Sequence, residues 1–345
     1  MNATTPSPAT DGQRDWKIFT GNEAPHDRLV TLPPPPPWRF AHTLKRLTPP
    51  VIDPKGSEAE GRRAKPFIVS DSMRIAVNAA LYLRRPLLLT GRPGTGKSTL
   101  IAKVAHELRL GPVLRWPINS RSTVRSGVYE YDAVGRLQAG RVEPPVQRYL
   151  KLGPLGTALV ADDWPRALLI DEIDKSDLDF ANDLLNVIEE GEYEIPELRR
   201  LGGGEEPVKV DDFEGHEVDV VGGRLKCCQF PFVMMTSNAE REFPAPFLRR
   251  CVRLEIEPPK SEELLRIVES HLNEHADVLD RAEIQALVDR FDSDQRENQD
   301  VAIDQLLNAV FLTVEMKNVE KRKFDASELS AVREQLMRPL SGQGT

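Results

Sequence analysis

An α/β fold built on a parallel sheet and followed by a small all-helical domain is what this sequence predicts, on three observations. Between Pro66 and Glu257, short apolar runs alternate with stretches of helical periodicity, the pattern of strands joined by crossover helices. A glycine-rich loop, Gly91 to Ser98, separates one apolar run from one helical stretch. Beyond Pro258-Pro259 the apolar residues recur at helical spacing.

In chain order, Leu87-Leu88-Leu89-Thr90 reads as a buried strand and Ser98 to Leu108 as a helix. Val113 to Ile118, Ala167 to Ile170 and Phe232 to Met235 read as further strands. Leu178, Ala181, Leu184, Leu185 and Ile188 mark one helical face, with Ser176 and Asp179 placed for a capping box. In the last third, Ser261 is set to cap a helix carrying Leu264, Leu265, Val268 and Leu272. Another helix shows Ile303, Leu306, Leu307, Val310, Phe311 and Val314. Three parts result: an irregular proline-rich segment over residues 1–65, an α/β core over 66–257 and a helical lid over 258–345.

The first part holds the run Pro33 to Pro37 followed by Trp38, which favours polyproline II and builds no core. It suits a semi-rigid linker, with docking to a partner or neighbouring subunit as the alternative. The chain of 345 residues has a net charge of −8, the wrong sign for a dedicated nucleic-acid binder. No stretch approaches the ~20 apolar residues of a membrane span, and the N-terminus has no secretory pattern. Three cysteines, Cys227, Cys228 and Cys251, and scattered histidines show no metal-ligand spacing. A reducing cytoplasm fits that cysteine usage.

Gly91-Arg92-Pro93-Gly94-Thr95-Gly96-Lys97-Ser98, with Thr99 behind it, is a complete GxxxxGK[ST] loop between strand and helix. Glycines let backbone N–H groups curl around a triphosphate. Lys97 would reach the β and γ phosphates, and the Ser98 hydroxyl would take Mg²⁺. Leu168 to Asp174 is an apolar strand ending in carboxylates. Asp171 is suited to hold Mg²⁺ and Glu172 to polarise the attacking water, although acidic pairs after strands also serve as helix N-terminal charges. Phe232 to Met235 leads into Thr236-Ser237-Asn238. Asn238 could orient the lytic water, or serve only its own turn. Arg249 and Arg250 precede the strand-like Val252 to Ile256, and an arginine supplied in trans can stabilise phosphoryl transfer.

These elements in this order resemble the AAA+ ATPases: Walker A, Walker B, sensor 1 and arginine finger, over roughly residues 66–340. The resemblance implies a parallel P-loop sheet in the order five-one-four-three-two, a helical lid, ATP with Mg²⁺ and usually a hexameric ring. Within the family the chain looks most like the MoxR branch. The long segment after Val113 leaves room for a helix-2 insert, and Gly191 to Gln229, with EYEIPEL, Gly202-Gly203-Gly204 and VKVDDFEGHEVDVV, resembles that branch's hairpin before sensor 1. Arg250 aligns best with the branch's finger, Arg249 being the alternate. The branch implies a protein client and a von Willebrand factor A-domain partner. The stretch PHDRLVTLPPPPPWRF is similar to MoxR-like ATPases of bacterial conflict gene clusters. Asp300 to Gln305 lacks the branch's sensor-2 arginine, leaving Arg290 or Arg296 as substitutes. Two rivals remain open: a slow nucleotide-gated switch, and a DNA-dependent motor using Arg121, Arg125, Arg136 and Arg141.

Overall fold

The structure is a computed structural model that describes residues 16–21, 24–39, 44–50, 61, 67–138, 145–161, 163–200, 206–271, 281–296, 301–318 and 326–337. Eleven strands occur among them: β1 Leu87–Thr90, β2 Leu114–Pro117, β3 Tyr129–Tyr131, β4 Leu150–Leu152, β5 Ala167–Asp171, β6 Glu192–Glu194, β7 Pro207–Asp211, β8 Glu217–Val221, β9 Arg224–Lys226, β10 Phe232–Ser237 and β11 Val252–Glu255. The longer helices are α1 Asp71–Leu83, α2 Lys97–Glu107, α3 Leu178–Glu190, α4 Ser261–His271, α5 Arg281–Arg296, α6 Ile303–Asn318 and α7 Ala326–Leu336.

The main sheet runs β11-β1-β10-β5-β2, every pair parallel. In order of appearance this is five-one-four-three-two, as the resemblance implied. Apolar runs without alternation form it because both faces are covered. Leu88, Leu168, Ile170, Val233 and Met235 face a core completed by Ala181, Leu184, Leu185 and Ile188 of α3. Their neighbours Leu87, Leu89, Leu169 and Met234 face the other way, against α1 and α2, as the two-residue period of a strand requires.

A second sheet, β3-β4-β7-β8-β9-β6, joins the two stretches that the sequence offered as separate insertions. β7 and β8 form the expected hairpin, and Lys151 of β4 pairs in parallel with Asp211 of β7. Gly202-Gly203-Gly204 lies outside the described residues. After β11, Leu264, Val268, Val288, Phe291, Leu306 and Val310 from α4, α5 and α6 bury one another in a core of their own. Phe311 of the expected face is exposed, while Leu272 and the Val314 side chain lie outside the description.

Two capping expectations are corrected. Asp177, not Ser176, caps α3 by accepting from Phe180 N at 2.6 Å. A one-turn 3-10 helix, Ile173–Lys175, comes first, and its carbonyl at Ile173 takes the Ser176 hydroxyl at 2.7 Å. Ser261 likewise does not cap α4, because it lies inside the first turn: Glu263 N and Leu264 N donate to Lys260 O at 2.8 and 2.9 Å, and the Ser261 hydroxyl donates to Asp292 of α5 at 2.6 Å.

Among its described residues up to 50, the N-terminal segment forms a 3-10 turn at Arg28–Thr31, and it packs on the core rather than serving as a semi-rigid linker. Ile18, Phe19 and Leu29 are buried in the α1–α2 core. Buried Asn78 of α1 accepts from Ile18 N at 2.7 Å and Phe19 N at 3.0 Å, and returns a bond to Phe19 O at 2.7 Å. Farther along, Arg84 donates to Pro33 O at 2.7 Å. These bonds make the segment a strap across the core. Asn78→Leu removes three bonds to one dipeptide and should lower unfolding free energy by about 2 kcal/mol or more. Urea titration reads that loss, and trypsin should cut faster at Lys17 and Arg28; unchanged cleavage would show that Asn78 does not hold the strap.

Candidate nucleotide site

The phosphate loop leaves β1 at its C-terminal end and enters α2 through Gly96, whose φ of 77° is left-handed. A β-carbon at Gly94, φ 74°, would lie 2.8 Å from Ala302 Cβ just before α6. Glycine is needed there for its conformation and for close approach. The stretch expected to carry sensor 2 thus sets apolar Ala302 against the loop. Arg290 is exposed, and the Arg296 side chain falls outside the description.

Within the loop, Lys97 Nζ donates to the carbonyls of Gly91 and Arg92, each at 2.8 Å. Thr95 Oγ1 donates to Arg92 O at 2.9 Å, and Thr99 N to Gly96 O at 2.9 Å. Pro93 and Arg92 are exposed on the turn. Burial lowers the pKa of Lys97, while the carboxylates of Asp174, Asp171 and Glu172 pull it back up. The lysine therefore sits in a hollow lined by three carboxylates that offset part of the effect of its burial.

Asp171 ends β5, and its Oδ1 accepts the Ser98 hydroxyl at 3.0 Å and the Thr236 hydroxyl from β10. Thr236 Oγ1 accepts in turn from Glu172 N at 2.9 Å. Glu172 has a φ of 59°, a left-handed conformation uncommon outside glycine, and Thr236 holds the backbone at that residue. Glu172 Oε2 takes Lys175 Nζ at 2.6 Å, a contact partly open to solvent on both sides. Asp174, 4% exposed, accepts from Asn238 N at 2.9 Å and Glu240 N at 3.2 Å through Oδ2. Its Oδ1 has no partner among the described residues.

The structure therefore brings Lys97, Ser98, Asp171, Glu172 and Asn238 to one edge of the sheet. The sequence reading missed Thr236 and Asp174. Thr236 stood in a run of three polar residues, and only its register, with Met235 opposite Ile170, distinguishes it. Thr236→Val keeps the shape and removes both bonds. ATP turnover should fall about tenfold with little change in KM, in line with ~1–3 kcal/mol for an orphaned buried group. Steady-state kinetics measures this, and wild-type kcat would show that the bridge is idle.

Arg249 and Arg250 are not at this edge. They precede Val252, which is in register with Leu87 at the start of β1. The phosphate loop follows the other end of that strand, about 13 Å away along four residues. Arg249 is exposed, and its carbonyl accepts from Arg85 at 2.8 Å. Arg250 lies against α3, pairing with Glu189 at 3.3 Å and Asn186 at 3.1 Å.

Elsewhere, Arg125 is bound to Glu197 at 2.6 Å, and Arg136 to the Tyr131 hydroxyl at 2.9 Å. Arg121 is exposed, and Arg141 falls outside the described residues. Burial pushes the thiols of Cys227 and Cys251 up to about 12. Asp212, Glu214 and His216 bring potential ligand atoms within 4.8 Å of one another, but Asp212 Oδ1 is engaged by the N–H groups of its own turn. No helix among the described residues is long and apolar enough to cross a membrane.

A glycine-rich loop on a parallel sheet ordered five-one-four-three-two, with a strand-end carboxylate bound to the loop serine, defines the AAA+ P-loop fold. Residues 86–251 match the AAA domain (dynein-related subfamily). By kinship such a domain implies nucleotide binding, usually with Mg²⁺, and ATP hydrolysis, and AAA+ proteins commonly form rings.

Among curated proteins, Midasin of Giardia intestinalis is 35% identical over 78 residues, which are 23% of this chain and 1% of that protein. The chain thus spans about a hundredth of that relative's length. Among solved structures, domain III of the Thermotoga maritima replication initiation protein DnaA aligns over 85% of this chain and 100% of its own, at 16% identity and a TM-score of 0.44. A Thermotoga maritima RuvB mutant aligns over 81% of this chain and 70% of its own, at 17% identity and a TM-score of 0.42.

Proposed function

We propose that the protein is a MoxR-type AAA+ ATPase that hydrolyses ATP between subunits of a ring, a hexamer by analogy, to remodel or activate a partner protein. The observation that carries this reading is the placement of Arg250 across the sheet from its own phosphate loop. A side chain so placed reaches a nucleotide only on a neighbouring copy.

In this mechanism the N–H groups of the loop and the Lys97 ammonium bind the phosphates, drawing Lys97 from the Gly91 and Arg92 carbonyls. Ser98 and Asp171 are hard oxygen donors of the kind Mg²⁺ takes, and the ion, held there, would neutralise phosphate charge. Glu172 takes the proton of the attacking water, Asn238 orients the γ-phosphate region, and the neighbour's Arg250, with Arg249 beside it, meets the charge that develops. The loop's contact with Ala302 gives the lid a path to feel the nucleotide. The six-stranded second sheet is the surface offered to a client, with a von Willebrand factor A-domain protein as the candidate partner in the cytoplasm.

Particle mass and ATP turnover, measured together with and without ATP, test this. Nucleotide-dependent assembly with steady turnover supports the ring. A monomer that hydrolyses slowly, with or without candidate partners, would instead make the protein a nucleotide-gated switch.

A further inference from the structure

Glu189 is the last but one residue of α3, and its carboxylate is divided between two cations. Oε1 receives Arg39 Nη1 at 3.2 Å, and Oε2 lies 3.3 Å from Arg250 Nε. One turn back, Asn186 Oδ1 accepts from Arg250 Nη1 at 3.1 Å. A guanidinium is planar, so pinning Nε and Nη1 fixes both its plane and the direction of its remaining edge. Nη2 has no partner among the described residues. The two arginines also sit at the negative end of the α3 dipole.

Arg39 is itself anchored. Its Nε and Nη2 both donate to Arg84 O, at 2.9 and 2.6 Å, and its side chain is only 6% exposed. Arg84 in turn holds Pro33. The strap thereby presses a buried cation on Glu189 from one side while Arg250 occupies the other. One carboxylate between two guanidinium groups leaves a net positive charge, so Arg250 is steadied without being neutralised.

We propose that Glu189 is a positioning residue for Arg250, and that the N-terminal strap, through Arg39, holds Glu189 in the geometry that presents Arg250 to a neighbouring subunit. This rests on the reading that Arg250 serves a shared ATP site. It gives the strap a part in turnover that its irregular composition does not suggest.

The test uses the full chain and compares kcat and KM for ATP in wild type, Glu189→Gln, Arg39→Ala and Arg250→Ala. Glu189→Gln is expected to lower kcat about tenfold and Arg39→Ala about threefold, within the range for partners that act through another residue. KM should stay within about twofold, since the binding loop is untouched. Glu189→Gln added to Arg250→Ala should cost nothing further, because both act through one group. Mixing Glu189→Gln with Lys97→Ala subunits should restore turnover, because the latter present an intact Glu189–Arg250 pair to a working phosphate loop. Loss that mixing does not restore would mean a folding defect and overturn the proposal. Wild-type kcat in Glu189→Gln beside a dead Arg250→Ala would overturn it too, leaving Arg250's role intact. Wild-type kcat in Arg250→Ala would instead remove the shared site itself.

Discussion

Glu172→Gln is expected to bind ATP as tightly as the wild type and to turn it over about two to four orders of magnitude more slowly, the range for losing a general base. The substitution keeps size and hydrogen-bonding capacity and removes only basicity. Its backbone should hold, because the Glu172 N–H bond to Thr236 and the left-handed φ do not depend on the carboxylate. The one side-chain contact at risk is Lys175, half open to water, and such pairs contribute little. Phosphate binding uses Lys97 and the loop, so affinity for a fluorescent ATP analogue should be unchanged while single-turnover hydrolysis collapses. Wild-type hydrolysis in this variant would take Glu172 out of the reaction and leave Asp174 as the carboxylate to examine.

What the sequence revealed about this site follows from how local each signal is. The loop from Gly91 to Ser98 is contiguous and its glycines have one physical reason to be there, so it can be read directly. Asp171 and Glu172 can be read because a buried strand must end where its carboxylates meet water. Thr236 could not be singled out, because in Thr236-Ser237-Asn238 only the register against β5 decides which side chain reaches Asp171. Ser176 and Asp177 are adjacent competitors for one cap, and the intervening 3-10 turn settles the matter in a way no spacing rule anticipates.

The strap was the harder case. Composition around Pro33 to Pro37 argues against a core of its own, and among the described residues Ile18, Phe19 and Leu29 pack instead into the α1–α2 core. Its order comes from outside, through Asn78 on Ile18 and Phe19 and through Glu107, which accepts from Thr20 N at 2.6 Å, partners 59 to 87 residues apart in the chain. Polar residues on helices carry no sequence mark of such a partner. The sheet order was available only through resemblance to a family, since parallel strands of similar composition do not announce their neighbours. The union of the two insertions in one sheet was not legible either, resting on a single bridge between Lys151 and Asp211.

Arg250→Ala should abolish most steady-state turnover, by about three orders of magnitude, while leaving nucleotide affinity and ring formation in place. Geometry separates this from the effect of Glu172→Gln. Arg250 stands at the N-terminal edge of β11, and the loop of the same chain follows the C-terminal end of the adjacent β1. The defect must therefore appear in the neighbour's site. Mixed rings make this visible. Arg250→Ala subunits have an intact loop, and Lys97→Ala subunits have an intact arginine. Each is inactive alone, yet where a Lys97→Ala subunit presents its arginine to an Arg250→Ala loop, one complete site forms. Partial recovery of turnover on mixing, scaling with the fraction of such junctions, is expected. Titrating one variant into the other at constant total subunit concentration measures it. No recovery, with both variants still assembling, would place Arg250 in a structural role at the α3 end and return the arginine of the shared site to Arg249, which is exposed beside it.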